Sequence, residues 1–164
     1  MMACMTQWSA RSRVPAALLN PAILAAVIAA GAAGYERETL SPMPRPLSFV
    51  VAPLTLHRGT REALPSSVAT HLGAWVSRNP ILRAGFPLRA RALVEPVREG
   101  LRFGLRYGLL TAEADGALRQ GIPRLRPPDA GDLRAVLRKA TFAGRWVSHA
   151  EQLGTVFALF GITV

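Results

Sequence analysis

Apolar residues recur with a period near 3.6 over most of this chain, and prolines and glycines cut the repeat into helix-sized segments. The sharpest repeat runs from Val94 to Leu110. Val97, Leu101, Leu105, Phe103, Tyr107 and Leu110 fill one broad side, and Arg98, Arg102 and Arg106 run down the other beside Glu95 and Glu99. That separation predicts an amphipathic helix, in which Gly104 and Gly108 lower the propensity but allow close helix contacts. A second long helix is predicted over Asp129 to Val147, with Leu133, Val136, Leu137 and Ala140 inward and Arg134, Arg138 and Lys139 outward. Between the two, Leu109 to Arg119 predicts a small hairpin, because Asp115-Gly116 is a strong turn dipeptide with short arms on either side. Gly121 to Pro128 reads as a rigid basic linker.

The N-terminal half is patterned differently. Val14 to Tyr35 carries 22 residues without a charge, nine of them alanine and only seven of them larger aliphatics, preceded by Arg11 and Arg13. A membrane span, a signal peptide and a buried small-residue helix all compete for this run. Asn20 as N-cap, Pro21 at the first helical position and Gly34 as the stop favour the buried helix. Glu36 to Pro46 reads as a linker broken by Pro42, Pro44 and Pro46. Leu47 to Leu56 suits a buried strand by composition, but the spacing of Leu47, Val50, Val51 and Leu54 favours a helix kinked near Pro53. Ser66 or Ser67 is placed to cap a helix bearing Val68, Leu72, Trp75 and Val76. Asn79-Pro80 repeats the earlier start signal and opens a helix to about Ala92. Ser148-His149-Ala150-Glu151 has capping-box spacing and opens a last helix ending at Gly161. The resulting expectation is a mainly α fold: a compact helical domain over 14–164 with a small β-hairpin, preceded by a flexible tail over 1–13. The helix-then-hairpin order is that of the end of a winged-helix unit.

Charge changes this picture. Nineteen arginines and one lysine stand against 10 acids, a net charge of +10, which favours nucleic acid, acidic protein surfaces or phospholipid as partners. Cys4 is alone, so neither a disulfide framework nor a thiolate zinc site is available within one chain. His57, His71 and His149 are far apart, and none has a second His or Cys at ligand spacing. Neither a Walker A loop nor a GxGxxG motif is present. The sequence therefore names no reaction and calls for no cofactor or metal.

Two polar groups stand out. After the apolar run to Leu56, the segment HRGTREALP concentrates His57, Arg58, Thr60, Arg61 and Glu62 before Pro65. Its ordinary reading is a helix end whose arginines and glutamate orient the chain or meet a partner; acid–base work by His57 is the weaker alternative. The second group is Arg98, Arg102 and Arg106, with Arg89 and Arg91 upstream. A solvated helix face, contact with a phosphate backbone and docking to an acidic protein all fit it. Glu113 and Asp115 near the hairpin turn would repel DNA.

Taken in order, LLNPAILAAVIAAGAAGYE, MPRPLSFVVAPLTLHRGTREALP, LGAWVSRNPILRAGFPLRARALVEPVREGLRFGL, FAGRW and GTVFALFGI resemble the middle component of bacterial three-component ABC ATPase systems, predicted conflict or anti-phage modules. The resemblance spans most of Leu18 to Ile162 and is most specific at Asn20-Pro21-Ala22 and Leu54 to Pro65; Met1 to Arg13 matches nothing in it. It implies a small helical, winged-helix-like, non-enzymatic cytoplasmic adaptor acting between an SMC- or Rad50-like ABC ATPase and an effector protein. It carries over no catalytic residue, and marks His57, Thr60, Arg61, Glu62, Asn79, Pro80 and Arg98 as positions of a signature surface. Two other functions stay open beside it: a winged-helix DNA-binding regulator, and a membrane-anchored or exported protein using 14–35, which the resemblance disfavours.

Overall fold

The computed structural model describes residues 19–121 and 131–163. In chain order these form α1 (Pro21–Thr39), a 3-10 turn (Arg45–Leu47), α2 (Ser48–Leu56), α3 (Arg58–Ala63), α4 (Leu72–Arg78), α5 (Pro80–Ala92), α6 (Val94–Arg106), β1 (Leu110–Ala112), β2 (Leu118–Gln120), α7 (Asp132–Val147) and α8 (Leu153–Phe160). The fold is mainly α with one two-stranded antiparallel hairpin. The polar lead-in 1–13 and most of the linker, 122–128, lie outside the described residues.

The chargeless run folds as the central helix. Asn20 Oδ1 accepts the Ala22 N–H at 2.8 Å and Pro21 occupies the first turn, as its sequence requires. Leu24, Ala25, Val27, Ile28, Ala29, Ala30 and Ala32 are buried, and α2, α6, α7 and β2 pack around them. Small residues are needed because the helices meet backbone to backbone. A Cβ added at Gly144 of α7 would lie 1.9 Å from the Gly31 carbonyl oxygen, and one at Gly34 would lie 2.0 Å from that of Thr141. On the α6 side, a Cβ at Gly100 would lie 2.5 Å from Leu24 Cβ. No helix among the described residues is long and apolar enough to cross a membrane.

This packing corrects the expected end of α1. Gly34 is no stop; it is an internal contact, and the helix runs on to Thr39. The acids that were to open a linker are used for docking. Glu36 pairs with Arg119 of β2, and Glu38 accepts from Arg145 Nε of α7 at 2.5 Å, with His149 Nε2 at 3.5 Å from its other oxygen. The hydrogen bond from Arg145 is the chief reason that the Glu38 carboxyl titrates below the ordinary range. Met43, also assigned to the linker, is fully buried and exchanges backbone hydrogen bonds with Leu118, so the hairpin is pinned to the chain that follows α1.

Leu47 to Leu56 is helical as its spacing predicts, with Pro53 inside it. Other boundaries moved. The helix expected from Ser66 or Ser67 begins at Leu72, because His71 Nδ1 accepts the Gly73 N–H at 3.2 Å while Ser67 Oγ closes a turn onto Ala69. Asn79 precedes α5 as expected, but its amide donates to the Trp75 carbonyl and so closes α4. The amphipathic α6 stops at Arg106 with Leu105 and Tyr107 exposed, because Gly108, at φ 72°, turns the chain into β1. Leu133 also faces solvent near the start of α7, which begins at Asp132. The capping box at 148–151 does not form. Ser148 Oγ donates back to the Arg145 carbonyl, and α8 begins at Leu153 without a side-chain cap. It ends at Gly161, in the left-handed conformation, as predicted.

The hairpin pairs Thr111 with Arg119, and the Ala117 N–H donates to Asp115 Oδ1 at 2.9 Å in its turn. Away from the small-residue interface, an aromatic cluster joins α4, α5, α7 and α8. Trp75 and Trp146 meet edge to face at 5.3 Å, and Phe86 lies 4.6 Å from Phe160. Each indole N–H has a partner: Trp75 donates to the Ala63 carbonyl and Trp146 to that of Thr70, both at 2.7 Å.

Candidate functional site

The HRGTREALP segment forms a joint between two helices. His57 ends α2 and caps α3; its Nδ1 accepts the Thr60 N–H at 3.1 Å and lies 2.8 Å from Thr60 Oγ1. An acceptor at Nδ1 requires the neutral ring with its proton on Nε2. Burial, then the positive charges of Arg89 and Arg61, hold the His57 pKa below the ordinary imidazole value. Arg61 Nη1 donates to the Thr55 carbonyl at 2.8 Å, which places its charge at the carbonyl end of α2, where the helix dipole favours a cation. Thr60 is fully buried. Arg58 and Glu62 form an exposed i, i+4 pair at 2.7 Å.

Arg89 comes into this joint from α5. Its Nη2 donates to the Leu82 carbonyl at 2.6 Å and reaches Thr60 Oγ1 at 3.5 Å, and its guanidinium lies 5.8 Å from the Phe86 ring centre. Its Nε is buried with no hydrogen-bond partner, and burial pushes its pKa down. A Cβ at Gly85 would stand 2.5 Å from Arg89 Nη1, so this glycine gives the guanidinium its room. Sequence spacing grouped Arg89 with the outward arginine stripe. The structure puts it with His57, Thr60 and Arg61: its bond to Leu82 lies within α5, and its contact with Thr60 Oγ1 links α5 to the joint.

The remaining arginines divide again. Arg102 and Arg106 stand exposed on α6, with Arg106 5.9 Å from the Tyr107 ring centre. Arg91 and Arg98 line a groove of about 530 Å³ between α5, α6, α8 and the 3-10 turn. Arg45 joins them from the 3-10 turn, and Phe49, Phe157 and Ile162 supply much of the apolar lining. Among the described residues no carboxylate side chain lines this groove. Glu95 is the near acid, bonded to Arg98 Nη1 at 2.5 Å, in a pair whose arginine side chain is 54% exposed. The side chains of Arg45 and Arg91 make no ion pair with the described residues. Thus the structure brings His57, Thr60, Arg61 and Arg89 together, brings Arg91 and Arg98 together elsewhere, and leaves Arg102 and Arg106 apart from both.

Arg45, Phe49, Phe157 and Ile162 escaped the sequence reading. Arg45 lay in an assumed linker, and the other three are uncharged residues to which the sequence pattern gave no role. The one local signal was an arginine held between Pro44 and Pro46, where the backbone is stiff enough to present a side chain in a fixed direction.

What fold and surface define together is a mainly α protein whose internal polar groups hold helix ends while a cationic groove stays open. The chain belongs to the ABC-three component (ABC-3C) system Middle Component 3 family, whose model matches residues 8–164. The resemblance drawn from the ordered motifs is thereby established. No curated protein and no solved structure matches the chain.

Proposed function

We propose that this protein is a non-enzymatic adaptor that joins an SMC- or Rad50-like ABC ATPase to an effector protein within a prokaryotic defence system. Membership of a middle-component family supports an association with the other components. The observation that carries the adaptor reading is the use of the joint's polar groups. His57 Nδ1 is engaged by the N-terminus of α3 and Arg61 by the C-terminal carbonyls of α2. The residues with the most catalytic look in the sequence therefore hold helices in place. His57, Arg58, Thr60, Arg61 and Glu62 act on a partner through the helix arrangement they fix, with Arg58 and Glu62 the members open to direct contact. The test is co-expression with the ABC ATPase component of the same system, followed by size-exclusion chromatography. Co-elution at defined stoichiometry is expected; a chain that elutes alone at every concentration overturns the reading.

One observation favours a second reading, a winged-helix DNA-binding regulator: Arg102 and Arg106 are exposed on the helix that leads into the hairpin. Against it, Glu113 accepts from Arg119 beside the turn, and Asp115 sits in the turn itself, which places acids where a wing would meet phosphate. That reading requires duplex binding with a steep salt dependence that flattens in Arg102→Ala. Absence of duplex binding at low salt removes it.

A further inference from the structure

We infer that the groove between α5, α6, α8 and the 3-10 turn is a docking site for an acidic peptide segment of a partner protein that carries large apolar side chains. The argument is charge complementarity over an apolar lining. Arg45, Arg91 and Arg98 converge on one concavity from three separate elements, and among the described residues no carboxylate side chain lines it. Three cations gathered on one concavity set up a positive field that an anionic ligand would meet favourably. Arg98 is held by Glu95 alone, in an exposed pair that an incoming carboxylate displaces at little cost. Phe49, Phe157 and Ile162 give the same concavity apolar surface. Burying that surface under aliphatic or aromatic side chains is the favourable term that a purely ionic ligand would forgo.

The groove does not end at its rim. On α5, Ile81, Ala84 and Leu88 are exposed at i, i+3 and i+7, beside the face that carries Arg91. A segment seated in the groove and running along α5 covers this stripe too. Nucleic acid fits less well. The arginines that a phosphate backbone would follow, Arg102 and Arg106, are outside the groove on exposed helix surface, and the hairpin beyond them carries Glu113 and Asp115. The inference rests on surface chemistry and stands apart from the adaptor reading.

The test is selection of peptides from a random 12-residue display library on the immobilised full-length chain, followed by fluorescence polarisation of the enriched peptides. Enriched sequences are expected to be net acidic with at least one Leu, Ile, Phe or Trp. Their affinity is expected to fall at least about tenfold in Arg91→Glu and in Arg98→Glu, and to stay within about twofold in Arg106→Glu, each with an unchanged melting temperature. Arg91 and Arg98 are both solvent-exposed, so their replacement leaves folding intact, and Ile162→Asp tests the apolar lining separately. Enrichment of peptides without acidic residues overturns the inference. So does equal loss of affinity in Arg106→Glu, or displacement of the peptide by a 12-nucleotide single strand whose binding also depends on Arg91 and Arg98. Groove variants that lose the peptide yet still co-elute with the ATPase leave the adaptor reading in place and assign the groove to a different partner.

Discussion

The joint at His57–Glu62 and the groove around Arg91 are both arginine-rich, and both draw on α5, yet they use their charges in opposite ways. In the joint, Arg61 and Arg89 donate to carbonyls at 2.8 and 2.6 Å, and the neighbouring Thr60 is fully buried. In the groove, Arg45, Arg91 and Arg98 are exposed around an apolar lining, with a single surface pair among them. A guanidinium that donates to carbonyls inside the fold is held by it and has little left for a ligand, even where, as at Arg89, the buried Nε lacks a partner. One that faces an acid-free concavity contributes little to stability and keeps its field for a partner. Net charge alone cannot separate the two. Their hydrogen-bond partners do.

The comparison is broken or sharpened by substitution. The largest effect is expected from Arg89→Ala, which removes the contact with Thr60 Oγ1 together with the charged donor on the Leu82 carbonyl and should lower unfolding stability by about 2 kcal/mol in urea titration. An unchanged midpoint would mean that Arg89 is no part of the joint. Next comes His57→Ala, which removes the α3 cap and should cost about 1 kcal/mol. His57→Asn should recover most of that loss, because an amide oxygen accepts the same N–H.

The pH dependence of His57 has a definite sign. Above its ordinary value near 6.5 the ring is neutral in folded and unfolded chains alike. Below that, the unfolded chain takes up a proton that the folded chain, with its lowered pKa, still refuses, so stability falls with pH until the folded pKa is reached. His57→Asn should remove this slope just below pH 6.5. Glu38 also loses stability on acidification, but its window opens near its ordinary 4.5 and continues down through its lowered folded pKa. The two are separable by melting temperature measured from about pH 2 to about pH 8. The smallest stability effect is expected in the groove: Arg98→Glu should change stability by no more than about 0.5 kcal/mol. A loss as large as that of Arg89→Ala would erase the distinction between the two regions.

Much of the fold was legible in local chemistry. Asn20-Pro21 gave the start of α1, the Val94–Arg106 stripe gave α6, and Asp115-Gly116 gave the hairpin, because each signal acts within a few residues. What failed was decided at a distance. Gly34 resembles a stop until Thr141 arrives against it from α7. Ser148 and Glu151 have capping-box spacing, yet the Ser148 hydroxyl donates instead to Arg145 at the end of α7. The helical wheel assigns a side to a residue but not a neighbour, so Leu105 and Tyr107 were given a core that α6 does not turn toward. The same limit governs the candidate site. Arg91 and Arg98 were visible as cations, whereas their convergence with Arg45 and Phe157 requires elements more than a hundred residues apart to meet.

The most direct test of the division is hydrogen exchange of the chain alone and saturated with an acidic peptide selected on the groove. Protection should appear over residues 87–98 and 157–163, around the groove, while 57–64 exchanges at the same rate in both states. Protection confined to 57–64, with the groove unchanged, would contradict the account.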